Sequence, residues 1–289
     1  MSEPAPRASI GIIGGSGLYE VEGVTDLQEV RLDTPFGEPS DAYVVGTLAG
    51  HRVAFLPRHG RGHRISPTEL NSRANVFGFK LLGVERLISV SAVGSLREEL
   101  RPLDVVVPDQ LFDRTRQRPN TFYGDGVVVH TGFADPFCPD LCALLCTAGE
   151  RTGARVHRGG TYVCIEGPQF STKAESRVFR QWGFDVIGMT ALPEARLARE
   201  AELCYGTLAL VTDYDVWHEE PVTVEMVVAN LTKNVATAKR ILAAAVVALA
   251  PERTCPCGRA LENAIMTRRD LIPEATKRRL APLLGRYLA

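Results

Sequence analysis

The chain has 289 residues, of which 45% are hydrophobic and 23% charged, and its formal net charge at pH 7 is −1. This composition is typical of a globular protein and gives no electrostatic reason to expect binding to nucleic acid or to an anionic membrane. No apolar stretch reaches the ~18 residues that suggest a transmembrane helix, and the polar leader, residues 1–8, lacks the apolar core of a signal peptide. We therefore expect a cytoplasmic protein with neither nucleic acid nor membrane as a partner.

Predicted strands and helices alternate along the chain. Ser9–Ile13 is the first predicted strand, residues 42–48 and 52–56 form a predicted hairpin about Ala49-Gly50, and Ser66-Pro67-Thr68-Glu69 predicts the start of a helix that ends near Leu82. Further strands are predicted at residues 86–90, 104–107, 160–165, 186–189 and 206–211, and further helices at 138–153, 173–182, 193–203, 223–249 and 259–288.

This alternation favours the α/β class, with a single domain built on a central, mixed but mostly parallel sheet flanked by helices. We assign residues 9–250 to that domain and expect residues 251–289 to form a helical extension packed on it.

The seven cysteines do not indicate a secreted disulfide framework, because their number is odd and the chain is long. Cys138, Cys142 and Cys146 are spaced by four residues, which favours a packed stripe on one helix face over a metal site. Cys255-Pro256-Cys257 is either a disulfide-forming pair or two inert thiols, and two cysteines without a second pair make a poor zinc site. We therefore expect no metal.

Small or basic residues follow three predicted strands. The turn Gly14-Gly15-Ser16-Gly17 offers backbone N–H groups and a hydroxyl that suit phosphate, although a plain tight turn is equally compatible with it. Arg58-His59-Gly60-Arg61-Gly62-His63-Arg64 is a basic loop, and Ser91-Ala92-Val93-Gly94-Ser95 follows the strand at 87–90. A solvated basic loop is the alternative for the second segment, but three such strand ends together favour an oxyanion site.

The run Thr212-Asp213-Tyr214-Asp215 ends the apolar stretch 206–211. Ligands of open α/β sheets bind beyond the carboxyl ends of strands, and carboxylates two positions apart on extended backbone would point to the same side. Such a pair could serve as an acid–base device with one raised pKa, or it could be a solvated pair in a turn.

Several of these segments, in this order, resemble the S-methyl-5'-thioadenosine phosphorylases, of the trimeric branch of the purine nucleoside phosphorylases. The resemblance extends from about residue 9 to about residue 250. It is carried by Gly14–Leu18, Arg58–Arg61, Asn71–Asn75, Ser91–Leu96, Pro108–Gln110, Ile165–Ser171, Met189–Glu194 and Thr212–Asp215.

The resemblance implies phosphorolysis of methylthioadenosine to adenine and 5-methylthioribose 1-phosphate, a reaction of purine and methionine salvage. It implies no cofactor, since inorganic phosphate is a co-substrate, and it implies a homotrimer or a dimer of trimers. The residues that it places on phosphate are Ser16, Arg58, His59, Ser91, Ala92 and Thr190. Those that it places on the nucleoside are Met189 at the sugar, Phe170 and Ser171 at the base, Val224, Val227 and Val228 at the methylthio group, and His63 and a neighbouring subunit's His130 as further candidates near that group. For the three valines, a plain core face of a helix is the alternative.

The same resemblance gives the Asp pair its roles. Asp215 would donate a proton to purine N7, and Asp213 would accept a hydrogen bond from the 6-amino group or support that arrangement, which predicts adenine over 6-oxopurines. A broader purine nucleoside or methylthioinosine phosphorylase is the alternative within the same chemistry. A hydrolase and a non-catalytic nucleoside-binding regulator are the alternatives outside it.

Overall fold

The protein is described from a computed structural model, which covers residues 6–15, 23–218 and 223–288. Its strands are β1 (Ile10–Gly14), β2 (Val24–Val30), β3 (Tyr43–Leu48), β4 (His51–Pro57), β5 (Arg86–Ser95), β6 (Val105–Val107), β7 (Gln110–Arg114), β8 (Val156–Arg158), β9 (Thr161–Ile165), β10 (Val186–Gly188) and β11 (Cys204–Asp213). Its helices are α1 (Ser72–Leu81), α2 (Pro139–Arg151), α3 (Lys173–Gln181), α4 (Ala191–Glu200), α5 (Val224–Val247), α6 (Glu274–Arg279) and α7 (Ala281–Leu288).

The strands form one mixed sheet in the order β2-β3-β4-β1-β5-β10-β9-β7, and β11 also pairs with β5. The central neighbours β4, β1, β5 and β11 are mutually parallel, whereas the hairpin β3–β4 and the pair β5–β10 are antiparallel. Residues of β1, β5 and β11 are almost all buried, as expected for strands covered by helices on both faces. The predicted fold class is confirmed.

The first predicted helix begins five residues later than the sequence indicated, with its N-cap at Asn71 instead of Ser66. Ser66 Oγ donates to Glu69 Oε2 at 2.6 Å and closes a local turn, so this hydroxyl does not cap a helix. The helix instead begins at Ser72, where the Asn71 side chain accepts from the Ala74 N–H at 3.1 Å. A short polar side chain at either position fits the capping rule, and the sequence did not distinguish them.

The prediction of one helix over 259–288 was wrong. Residues 264–266 pair with residues 128–130, through Met266 N–H to the Val128 carbonyl at 2.9 Å and His130 N–H to the Ala264 carbonyl at 2.8 Å. Backbone groups committed to these bonds cannot form a helix, and α6 begins only after Pro273. Strands β2, β7 and β8 were also not predicted.

The C-terminal segment shares the main hydrophobic core, to which it contributes Leu261, Ile272, Leu280, Leu283 and Leu284. Among the described residues, no helix combines the length and the apolar character that a bilayer crossing requires.

Candidate functional site

Four parallel strands end at one edge of the sheet and bring the predicted site segments together. The register pairs Gly14 of β1 with Pro57 of β4, and Asp213 of β11 with Gly94 of β5. The basic loop after β4, the end of β5 and the Asp pair therefore lie side by side, at the edge where α/β sheets bind ligands. Ser16, in the turn after β1, lies outside the described residues, so its phosphate role stays a prediction.

Three buried hydroxyl groups converge where β5, β9 and β10 meet. The antiparallel register that pairs Ile187 with Gly94 also brings Thr190 opposite Ser91 when it is continued. Tyr162 of β9 lies beside both, and their hydroxyl groups lower the pKa of its phenol, which burial raises to about 12. Ser91 Oγ, Tyr162 Oη and Thr190 Oγ1 are buried, and none makes a hydrogen bond with another described residue. Buried polar groups are nearly always hydrogen-bonded, so three together indicate a polar ligand.

Arg58 lies under this edge in a buried ion pair with Glu194 of α4. Its Nε and Nη2 donate to the two carboxylate oxygens of Glu194, Nη2 also donates to Ser89 Oγ at 2.7 Å, and Nη1 donates to the Val90 carbonyl at 3.2 Å. Burial disfavours the charged form of Arg58, but the adjacent Glu194 carboxylate outweighs it and raises the pKa. All three guanidinium nitrogens thus donate to protein acceptors, so Arg58 gives the site a fixed positive charge held by the sheet.

His59 follows Arg58 and is also buried. Its Nδ1 lies 2.8 Å from the Ile65 carbonyl, which assigns the Nδ1–H tautomer and leaves Nε2 as an acceptor. Burial, with the charge of Arg58, lowers the pKa of His59 to about 4. The imidazole is therefore neutral at pH 7. The exposed His63 ring stacks on it with 4.3 Å between centroids.

The Asp pair is buried, and its local geometry differs from the prediction. The backbone is not extended through both residues, because Asp215 has φ +53° and starts a 3₁₀ turn, Asp215–Trp217. This turn directs the Asp215 N–H to Asp213 Oδ1 at 2.8 Å. Both side chains still meet over Gly94, where a Cβ would lie 3.0 Å from Asp213 Oδ1 and 3.2 Å from Asp215 Cβ. A turn, rather than extended backbone, brings the two carboxyl groups together.

Each carboxyl group also has one hydroxyl donor. Thr212 Oγ1 donates to Asp213 Oδ2 at 2.7 Å, and Ser176 Oγ of α3 donates to Asp215 Oδ2 at 2.5 Å. Burial raises the pKa of both aspartates, and the neighbouring charge of Asp213 raises that of Asp215 further. The pair therefore favours the protonated form more than an isolated aspartate does, and a protonated carboxyl group is what a general acid requires. Ser176 was missed from the sequence because it lies 39 residues away.

The loop between β9 and α3 forms one wall of the site. Gly167 has φ +68° and lies against Met189, whose Sδ would be 2.5 Å from a Cβ at that position. Phe170 is 54% exposed, and the buried Ser171 Oγ has no hydrogen-bond partner among the described residues. This loop carries the predicted base contacts, and α3 packs its Ser176 onto the Asp pair.

Arg118 is a second residue that sequence reasoning missed. Its Nε donates to Glu166 Oε1 at 3.1 Å, and its Nη1 donates to the carbonyls of Met189 at 2.5 Å and Leu192 at 2.7 Å. One guanidinium thus joins the β9–α3 loop to the segment that carries Met189 and Thr190. It lies in a stretch of irregular backbone without a recognisable motif, so no sequence signal identified it.

The structure describes the predicted methylthio region only in part. Helix α5 begins after Thr223, whose hydroxyl accepts from the Met226 N–H at 3.2 Å, and Asn230 Nδ2 donates to the Thr212 carbonyl at 2.8 Å. The side chain of Val224 lies outside what is described, Val227 is half-buried and Val228 is 54% exposed. The exposure of Val228 argues against the core-face alternative for that residue.

Two remaining candidates lie on the surface of the chain. Ala92 is exposed at the end of β5, beside the buried Ser91. His130 is exposed in the segment paired with residues 264–266. The first belongs to the strand-end cluster, whereas a role for the second requires a neighbouring subunit.

Known proteins resemble this chain over nearly its whole length. The family described as the Phosphorylase superfamily matches residues 9–247. The S-methyl-5'-thioadenosine phosphorylase of Koribacter versatilis (strain Ellin345) is 62% identical over 283 residues, covering 97% of each chain. The chain belongs to this family of phosphorylases. The enzyme of the same name from Geobacter sulfurreducens is 57% identical over 282 residues, which cover 96% of this chain and 99% of the relative.

Solved structures of S-methyl-5'-thioadenosine phosphorylases share the fold. A methylthioadenosine phosphorylase from an Antarctic soil metagenomic library superposes with a TM-score of 0.93 at 49% identity, covering 96% of this chain and 99% of that one. A mutant adenosine/methylthioadenosine phosphorylase of Schistosoma mansoni, in complex with methylthioadenosine, gives a TM-score of 0.84 at 37% identity, covering 92% and 100%. The resemblance inferred from the sequence motifs is confirmed at the level of the family.

Proposed function

We propose that the protein catalyses the phosphorolysis of S-methyl-5'-thioadenosine, releasing adenine and 5-methylthioribose 1-phosphate. One observation carries the proposal: three buried hydroxyl groups without protein partners lie at the sheet edge that also holds Arg58 and a buried Asp pair. The three hydroxyl groups and Arg58 suit an oxyanion, and the Asp pair suits a leaving base. Relatives named for this activity, at 57–62% identity over nearly the whole chain, support it.

Phosphate would bind at the edge formed by β1, β4 and β5. Ser91 and Thr190 would donate hydroxyl hydrogen bonds, Ala92 its backbone N–H, and Ser16 a hydroxyl from the glycine turn. Arg58 would act through its charge, because its nitrogens already donate to Glu194, Ser89 and Val90. The neutral His59 would present Nε2 as an acceptor for the proton that phosphate still carries at neutral pH. A cradle of donors held by strands positions the nucleophile without a covalent intermediate.

The base would leave through proton donation by Asp215. Burial and the neighbouring Asp213 raise the pKa of this carboxyl group, so it can hold a proton for purine N7. Asp213 would accept from the 6-amino group of adenine. A 6-oxopurine would place its carbonyl oxygen, an acceptor, opposite this buried carboxylate. In sites built on one hydrogen bond, such a mismatch lowers kcat/KM for the wrong substrate by about 10⁴-fold. Phe170 and Ser171 would line the base.

The sugar and its 5' substituent would lie between Met189 and the start of α5. Met189 is held against Gly167 and by Arg118, so it offers a fixed apolar surface for the ribose. Val224, Val227 and Val228 would enclose the methylthio group, with His63 at the same end. An apolar lining favours methylthio over a 5'-hydroxyl, because a hydroxyl buried without a partner loses its hydrogen bonds to water.

The proposal includes a homotrimer, alone or as a dimer of trimers. Val128 and Met266 are 50% and 62% exposed and are joined by a backbone hydrogen bond of 2.9 Å. They form an apolar surface next to His130. This surface supports burial of the region by a second copy of the chain, with His130 reaching the site of that copy. Light scattering on the purified protein should give three or six chains. A fully active monomer would contradict this part.

We also propose a cytoplasmic location and no cofactor beyond the phosphate co-substrate. None of the seven cysteines is in a disulfide, as is usual for a protein of a reducing compartment.

The decisive experiment follows adenine release from methylthioadenosine with and without phosphate. We expect release that depends on phosphate, with methylthioinosine and inosine cleaved far more slowly. The Asp215→Asn variant should lose a factor of at least about 10², equivalent to roughly 3 kcal/mol of transition-state stabilisation. Equal release without phosphate would indicate a hydrolase. Tight nucleoside binding with no release would indicate a binding protein.

A further inference from the structure

Four cysteines from distant parts of the chain meet at the opposite end of β11 from the Asp pair. The sulfur atoms of Cys138, Cys204, Cys255 and Cys257 all lie within 4.8 Å of one another. Three of these side chains are buried and Cys255 is half-buried. Cys142, Cys146 and Cys164 do not belong to this four-cysteine cluster. The predicted stripe of Cys138, Cys142 and Cys146 on α2 packs into one hydrophobic core cluster, and only Cys138 of the three also meets the tail cysteines.

The backbone around the cluster is fixed by hydrogen bonds that do not involve sulfur. Cys138 N–H donates to the Tyr205 carbonyl at 2.8 Å, and Cys204 N–H donates to the Glu85 carbonyl at 2.9 Å. On the tail side, Thr254 Oγ1 donates to Asp140 Oδ2 at 2.9 Å. The sulfur positions are thus defined by the fold, in the way that a preorganised site requires.

The two tail cysteines reach the same point because of their local conformation. Cys255 is extended (φ −70°, ψ 158°), as favoured for a residue before proline, and the 3₁₀ turn Pro256–Arg259 follows it. Both sulfurs of the Cys-Pro-Cys segment thereby join those of Cys138 and Cys204. A four-sulfur zinc site needs a second pair of cysteines besides Cys255 and Cys257. Cys138 and Cys204, which lie 66 residues apart along the chain, provide it.

We propose that these four cysteines hold one zinc ion, which fastens the C-terminal segment to the sheet. Four sulfur ligands in a tetrahedron are typical of structural zinc sites, and a Zn–S bond of about 2.3 Å places ligand sulfurs about 3.8 Å apart. The four sulfurs lie within 4.8 Å of one another, which accommodates that spacing, and the Cys204–Cys255 sulfur distance of 3.3 Å is well beyond the ~2.05 Å of a disulfide. The proposal replaces the expectation of no metal.

The position of the cluster indicates a structural role. Cys204 is the first residue of β11 and Asp213 the last, so the ion would lie a strand length of about 30 Å from the acid–base pair. Cys138 is the N-cap residue of α2, where the helix dipole favours a thiolate. A cavity of about 230 Å³ lined by Cys138, Cys204 and Cys255 gives the metal room to enter. Binding displaces the thiol protons and needs no oxidant.

The first test measures metal in the purified protein and after incubation with zinc under reducing conditions. We expect about one zinc per chain by mass spectrometry of the elements. Replacing zinc with cobalt should produce the intense visible absorption of a tetrahedral thiolate site. Chelation in the presence of a thiol reagent should lower the melting temperature and unmask four more reactive thiols.

Variants separate the cluster from the other cysteines. Cys255→Ser, at the half-buried member, should lose most of the bound zinc and the cobalt absorption, while Cys142→Ser should retain both. Cys257→Ser gives an independent second test if Cys255→Ser is poorly folded.

Two results would overturn the proposal. One is a protein that binds neither zinc nor cobalt after reduction, whether or not its thiols are free. The other is retention of a full zinc equivalent in both Cys255→Ser and Cys257→Ser. Disulfide-linked peptides among the four cysteines, with no metal uptake after reduction, would assign the cluster to disulfide bonds instead.

Discussion

The buried pair Arg58–Glu194 gives the sharpest test of how the fold holds the phosphate end of the site. Glu194→Gln removes one negative charge and keeps the shape of the side chain. In the unsubstituted protein, both residues are 1% exposed, and the carboxylate accepts from Arg58 and from the Tyr205 hydroxyl at 3.0 Å. In the variant, the guanidinium remains buried without a compensating charge.

The expected loss of stability follows from that burial. Breaking a buried ion pair by removing one partner costs about 3–5 kcal/mol, a factor of roughly 10²–10⁴ in the unfolding equilibrium. The single amide oxygen of glutamine can accept only some of the hydrogen bonds that the two carboxylate oxygens of Glu194 accept. The remaining hydrogen bonds therefore do not offset the lost charge. Phosphate should also bind more weakly, because Arg58 is released from its fixed position.

Urea unfolding at one fixed protein concentration measures the first effect, and KM for phosphate measures the second. The matched control is Glu150→Gln, which removes a carboxylate from a surface pair with Arg158 at 3.4 Å, both side chains being more than half exposed. That control should change stability by less than about 1 kcal/mol. If Glu194→Gln were no more destabilising than the control, the buried pair would not hold this region together. A rise in KM for methylthioadenosine equal to that for phosphate would refute the specific role in phosphate binding.

Three further predictions concern the Asp pair and the hydroxyl cluster. Burial raises the pKa of Asp215 in the folded protein, so the fold loses stability as the pH rises through that pKa. Asp215→Asn should remove this loss and raise the melting temperature at pH 8. An unchanged melting curve would contradict this prediction. If Asp215 is the proton donor proposed above, kcat/KM should fall as the pH rises through the same pKa. Ser176→Ala removes a donor to the carboxylate and should move that fall to higher pH, and a fixed profile would exclude the coupling. Gly188→Ala would place a Cβ 2.0 Å from Tyr162 Oη and should cost about 1–3 kcal/mol with a higher KM for phosphate, as unfolding and steady-state kinetics would show.

Local sequence signals were reliable where neighbours along the chain decide the structure. The hairpin about Ala49-Gly50 and the apolar strands that became β5 and β11 are of this kind. The predicted start of α1 was wrong because a side-chain hydrogen bond closes a local turn at Ser66. The predicted helix over residues 259–273 was wrong because residues 264–266 pair with residues 128–130 instead. Propensity is a weak guide wherever tertiary contacts compete for the same backbone groups.

By itself, the sequence determined the α/β class, the family and the strand ends that carry the candidate site. In motifs such as Arg58-His59-Gly60-Arg61 and Thr212-Asp213-Tyr214-Asp215, the residues that indicate the chemistry are adjacent in the sequence. Only the tertiary structure decided that Arg58 is committed to Glu194, that Ser176 supports Asp215, and that four separated cysteines share one point. The physical reason is the same in each case. Such contacts join residues far apart along the chain, and their distances are set by sheet register and helix packing, which no local pattern encodes.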